Sequence, residues 1–144
     1  MSELRELYQE MILDHGKNPR NRCALEGADE RADGNNPLCG DKITIFVKTN
    51  GETVEDVTFE GTGCAISTAS ASMMTEAVTG MRVDQALRLC EQMHTWFDAQ
   101  DDAATLTLPE SLQALGAVRE HPARRKCVLL SWEALAAAIA GAAA

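Results

Sequence analysis

Five cysteines and one carboxylate are the residues whose types and positions point to chemistry. Cys39 sits in Asn35-Asn36-Pro37-Leu38-Cys39-Gly40-Asp41, just ahead of a run with strand character, and Cys64 sits in Gly61-Thr62-Gly63-Cys64, just behind it. Between them Asn50-Gly51 marks a tight hairpin turn. A hairpin returns the chain to its starting end, so Cys39 and Cys64 are expected close together. Asp41 is two residues from Cys39, which lets both side chains reach one ion across the Gly40 turn. Cys127, near the start of the last helical stretch, could join them. Three thiolates and a carboxylate make a four-coordinate zinc set in which sulfur supplies most of the affinity. Cys64 also opens a helix, whose N-terminal dipole favours a thiolate.

Spacing alone leaves a second reading open, because no C-x-x-C pair occurs. A cysteine can be no more than a small core hydrophobe. Cys90 reads that way, since it falls on an apolar helical face with Val83, Ala86, Leu87 and Phe97. Cys23 follows Arg22 in a polar stretch and reads as incidental. His15 closes a helix and His121 precedes Pro122, so cap or surface roles are expected of both, and a structural role of His94. Arg119, Arg124, Arg125 and Lys126 gather near Cys127. They form either a solvated helix start or a patch that favours thiolates and meets acidic partner groups.

The elements that must position these residues follow from periodicity. Leu4, Leu7, Tyr8, Met11 and Ile12 make one apolar face of a first helix, with Ser2 as its cap and Gly16 as its stop. Lys17 to Gly40 is polar and rich in Asn, Gly and Pro, so it is read mostly as loop, with a short strand possible at Cys23 to Leu25. Ile43, Ile45 and Val47 alternate with Thr44, Phe46 and Lys48; Val54, Val57 and Phe59 make the return strand, with a slip between Val54 and Val57. Ala65 to Thr79 reads as a closely packed helix, and Met73-Met74 as packing. A second amphipathic helix spans Val83 to Phe97, Asp98 to Thr107 is an acidic surface excursion, and Glu110 to Leu115 is a short helix. A last helix runs from Pro122 to about Ala140, with a fraying Ala-rich end. The expectation is an α+β fold: a small antiparallel sheet with a hairpin, packed against several helices.

Composition sets the outer bounds. A chain of 144 residues suits one domain, 1–144, with one core. Aromatics are only 4%, so that core is expected to rest on Leu, Val, Ile, Met and Ala. The net charge of −9 repels phosphate backbones and anionic lipid heads, which argues against nucleic acid and membrane as partners. The N-terminus is charged throughout and no stretch reaches the length of a membrane span, so the cytoplasm is expected, where thiols stay reduced.

Three segments carry a resemblance. Gly34 to Asp41, Gly61 to Ser67 with Ala69 to Met74, and Pro122 to Cys127 look like the three cysteine motifs of the IscU/SufU/NifU N-terminal family of iron–sulfur cluster assembly proteins. The likeness extends to the Leu7-Tyr8 helix, Asp14-His15 and Asn18-Pro19. The long segment between Cys64 and Cys127 resembles the SufU branch, and Lys126 stands where IscU-like scaffolds have a histidine.

The resemblance implies an IscU-like fold and a zinc ion held by Cys39, Asp41, Cys64 and Cys127. It makes Cys39 the acceptor of persulfide sulfur from a pyridoxal-phosphate-dependent cysteine desulfurase of the SufS type, with downstream Suf assembly proteins as recipients. The pyridoxal phosphate belongs to the partner. Cys39, on a Gly-flanked loop, is expected to leave the metal and attack as a thiolate, while Cys64 and Cys127 stay near helix starts. The alternative is a scaffold whose site holds iron or a transient iron–sulfur cluster. A third possibility is a zinc-stabilised interaction module without catalysis.

Overall fold

Asn50 shapes the turn of the hairpin. Its side-chain Oδ1 accepts the Thr53 N–H at 2.9 Å and the Glu52 N–H at 3.3 Å. The turn joins β2 (Asp41–Thr49) to β3 (Val54–Thr62), which pair antiparallel. The register shifts where Lys48 faces Asp56 but Thr49 faces Val54. Glu55 is the extra residue of that bulge, and it accounts for the slip in alternation between Val54 and Val57. The computed structural model describes residues 2–37, 40–98 and 108–143.

The sheet has a third strand, β1 (Glu30–Asn36), giving the antiparallel order β1-β2-β3. The expected strand at Cys23 to Leu25 does not form; the strand lies further on, within the stretch read as loop. Its sequence, Glu-Arg-Ala-Asp-Gly-Asn-Asn, has almost no β propensity. Pairing with β2 and the closeness of the last helix hold it in place. A Cβ at Gly34 would stand 3.0 Å from Leu130 Cδ1.

Ile43, Ile45, Val47, Val57 and Phe59 fill the inner face of the sheet. Two helices, α2 (Ala65–Val78) and α5 (Pro122–Ala143), cover that face, and α1 (Ser2–Lys17), α3 (Val83–Asp98) and the short α4 (Glu110–Gln113) pack against them. A 3₁₀ helix, Ala114–Glu120, links α4 to α5, so the short helix expected at Glu110 to Leu115 continues in tighter winding. α5 runs to Ala143, past the expected end. The acidic excursion expected up to Thr107 lies outside the described residues, apart from Asp98, the last residue of α3. The chain is thus α+β: among the described residues, a three-stranded antiparallel sheet packs with five α-helices.

The small residues of α2 set its place. Ala69, Ser70, Ala71, Ser72, Met73, Met74 and Thr75 are all buried, and the helix packs against both α1 and α5. The core rests mostly on Leu, Val, Ile, Met and Ala, as composition implied, with Trp96 and Trp132 among its largest fully buried side chains. Trp96 meets Phe97 edge-on, with centroids 5.5 Å apart. No helix among the described residues is long and apolar enough to cross a membrane.

Candidate metal centre

The hairpin does what its turn promises. Asp41 opens β2, and the pairing of Lys42 with Thr62 brings it beside the segment that leads out of β3. There Asp41 is fully buried, and its Oδ1 accepts the Cys64 backbone N–H at 2.9 Å. Cys64 is the N-cap of α2, in extended backbone conformation, and its Sγ accepts the Ser67 N–H at 3.4 Å. Cys127 lies in the second turn of α5 and is fully buried.

These three residues converge. Among the described residues, one ligand atom each from Asp41, Cys64 and Cys127 lies within 4.8 Å of the other two. Zinc–sulfur bonds of about 2.3 Å and a zinc–oxygen bond of about 2.0 Å in tetrahedral array put the ligand atoms about 3.5–3.8 Å apart, so closing on an ion needs shifts of roughly an ångström. Asp41 Oδ2 is buried and has no hydrogen-bond partner among the described residues. An unpartnered buried polar oxygen costs about 1–3 kcal/mol, more when charged, and a cation would relieve it. Two thiols and a carboxylate are also donors that zinc takes. The residues therefore fit the ion. Cys39, the remaining member of the expected set, lies outside the described residues; the chain around it joins Asn36 to Asp41, which pair across β1 and β2.

The other sequence expectations divide. Cys90 is a core residue, 3% exposed, and burial pushes its thiol up to about 12. Cys23 is exposed. His15 is neither cap nor surface: it is buried, with Nδ1 2.7 Å from Ser72 Oγ and Nε2 3.6 Å from Glu76. The signal for this was its place one turn beyond Met11 and Ile12 on the apolar face of α1. His94 is partly buried and lies 3.6 Å from Glu133. Arg119 departs from the basic group expected at the helix start. It is buried, donates from Nε to the Trp96 carbonyl at 2.8 Å, and stacks its guanidinium 5.0 Å from the Trp96 ring centroid. Arg125 donates to the Arg119 carbonyl at 3.3 Å, while Arg124 and Lys126 are exposed.

Two grooves flank the start of α5. Cys64 lines one with Ile66, Val118, His121 and Arg124. Asn36, Pro37, His94, Lys126 and Glu133 line the other. Lys126 thus faces outward although its neighbour Cys127 faces the core.

Fold and site define a small α+β protein with thiols and a carboxylate gathered at the open end of a β-hairpin. The chain belongs to the NifU-like N-terminal domain family, whose model matches residues 7–142. It is 42% identical to the zinc-dependent sulfurtransferase SufU of Bacillus subtilis over 139 residues, 96% of this chain and 93% of that protein. It is 41% identical to the iron–sulfur cluster assembly scaffold protein IscU of Streptococcus pyogenes over 139 residues, 96% of this chain and 86% of that one. The crystal structure of the N-terminal part of a nitrogen-fixing NifU-like protein from Brucella abortus superposes with a TM-score of 0.84 at 25% identity, covering 96% of each chain.

Proposed function

We propose that this chain serves iron–sulfur cluster assembly as a zinc-dependent sulfurtransferase, a single domain over 1–144 acting in the cytoplasm. In this reading Cys39, Asp41, Cys64 and Cys127 hold the zinc, and Cys39 accepts sulfur from a pyridoxal-phosphate-dependent cysteine desulfurase and passes it to downstream Suf assembly proteins. The observation that carries the reading is the convergence of Asp41, Cys64 and Cys127, with Asp41 Oδ2 buried and unpartnered among the described residues. The likeness to the Bacillus sulfurtransferase supports it.

Zinc, when bound, supplies positive charge that keeps thiols deprotonated at neutral pH. The chain's own residues do the rest. Asp41 is fixed by the Cys64 N–H, and Cys127 by its burial between α5 and the core, so both are suited to stay in place. Cys39, by sequence next to Gly40 at the foot of β2, is the thiol suited to move. Its thiolate attacks the outer sulfur of the partner's persulfide. A new S–S bond forms at Cys39, the donor's S–S bond breaks, and the donor cysteine leaves as a thiolate; no outside oxidant or reductant is needed.

Mixing the protein with a cognate desulfurase, pyridoxal phosphate and cysteine tests this. Peptide mass mapping at an early time, with thiols blocked, should find one added sulfur on Cys39. No persulfide anywhere, with an active desulfurase present, sinks sulfur transfer.

The near-equal likeness to the streptococcal scaffold favours a second reading, in which the same residues hold a nascent cluster. First sulfur on Cys127, or iron and sulfide in anaerobically purified protein where zinc is expected, would establish that reading instead.

A further inference from the structure

Two glycines precede Cys64, and they are glycine for different reasons. Gly61 has a φ of +138°, and a Cβ there would collide with the Lys42 carbonyl of the neighbouring strand. Gly63 has no positive φ, so its backbone would accept alanine. What excludes a side chain at Gly63 is the site itself. A Cβ there would lie 2.9 Å from Asp41 Oδ1, 3.2 Å from Ser67 Oγ and 3.3 Å from Ser67 Cβ.

The contact falls on the oxygen that the Cys64 N–H holds at 2.9 Å. One carboxylate oxygen is therefore committed to the backbone, and the other, Oδ2, is left buried and unpartnered among the described residues. That division works only if Oδ1 can lie flat against the chain at residue 63.

We propose that Gly63 is a positioning residue: its missing side chain lets Asp41 lie against the Cys64 amide, so that the carboxylate presents Oδ2 alone to the metal. This rests on the reading that Asp41, Cys64 and Cys127 hold zinc. Gly63 touches no reacting atom; it acts through Asp41. With a methyl group there, the carboxylate must turn, the Cys64 N–H loses its acceptor, and the single-oxygen presentation is lost. Groups that orient a metal ligand typically change affinity about 10- to 100-fold when altered.

The test compares wild type with Gly63→Ala, titrating zinc against a competing chelator and melting both proteins metal-free. The expected result is zinc affinity about 10- to 100-fold weaker, with the metal-free variant still folded and melting only slightly below wild type. Unchanged affinity overturns the proposal. So does recovery of affinity in Gly63→Ala/Ser67→Ala, because Gly63 would then be making room for the Ser67 hydroxyl. If Gly63→Ala does not fold, X-ray absorption of the zinc-loaded wild type decides. One oxygen at about 2.0 Å supports single-oxygen ligation, and two oxygens at similar distance refute it. Failure of wild type to bind zinc is a separate result: it removes the metal site, and this inference with it.

Discussion

Ser70 and Trp132 tie α2, capped by Cys64, to α5, which carries Cys127. The indole N–H of Trp132, on α5, donates to Ser70 Oγ on α2 at 3.2 Å, and that hydroxyl donates to the Val128 carbonyl at 2.7 Å. Val128 follows Cys127, and Cys64 caps the helix that carries Ser70. One buried hydroxyl thus fixes how the two thiols approach. Replacing it leaves a buried indole N–H without an acceptor, at a cost of about 1–3 kcal/mol. Ser70→Ala should lower unfolding free energy by that amount in a urea titration. Ser131 supplies the contrast, since its buried Oγ has no partner among the described residues. Ser131→Ala should be neutral or mildly stabilising. Equal effects of the two substitutions would contradict this account.

The proposed ligands and the bystander cysteines should separate cleanly. Purified protein should carry about one zinc per chain, and chelation should lower its melting temperature, because an ion bound only by the native state adds to stability. Cys64→Ser and Cys127→Ser should lose zinc by metal analysis. Cys23→Ser and Cys90→Ser should keep it. Zinc loss in either of the latter pair would mean that the ligands were chosen wrongly.

Cys90 and Cys23 should also differ in reactivity. The Cys90 thiol, buried and raised to about 12, presents almost no thiolate at pH 8. Cys23 is exposed. Iodoacetamide at pH 8 should alkylate Cys23 in the native protein and Cys90 only after unfolding. Native-state labelling of Cys90 at a comparable rate would show that its helix opens readily.

The hairpin, α2, α3 and α5 were legible in sequence because each carries a strong local signal: the Asn50-Gly51 turn, Gly80 after α2, the apolar face from Val83 to Phe97 in α3, and Pro122 opening α5. β1 was not, because its strand character comes from register against β2 and from Gly34 lying close to Leu130. The turn implied that Cys39 and Cys64 lie close together; Cys39 lies outside the described residues, but Asp41, two positions on, accepts the Cys64 N–H at 2.9 Å. Arg119 was misjudged because charge near a helix start reads as solvated. Its Trp96 partner lies 23 positions back on α3, a pairing that only tertiary packing makes. His15 failed for a similar reason, since its contact, Ser72, is 57 positions away.

His15 gives the chain a pH dependence whose sign follows from its surroundings. Burial holds its pKa below the usual histidine value of 6.5, and Arg20 nearby pushes the same way, while Glu76 and Asp14 oppose. Ser72, the remaining group against the ring, is neutral. Because the folded pKa is depressed, the unfolded chain binds a proton at His15 more readily than the native one. The native state therefore gains from neutral His15 above about pH 6.5, and that gain disappears as pH falls through the unfolded value toward the folded one. Wild type should lose stability between pH 7.5 and 5.5 through this group. His15→Gln, which keeps a polar group near Ser72 but cannot titrate, should lose less over the same interval. All other groups are common to both proteins, so the difference between the two curves reports on His15 and the charges it meets. Urea titrations of both proteins at pH 7.5, 6.5 and 5.5 measure it. Curves that stay parallel across that interval would show that His15 charges in the folded protein as easily as in water, against the burial seen between α1 and α2.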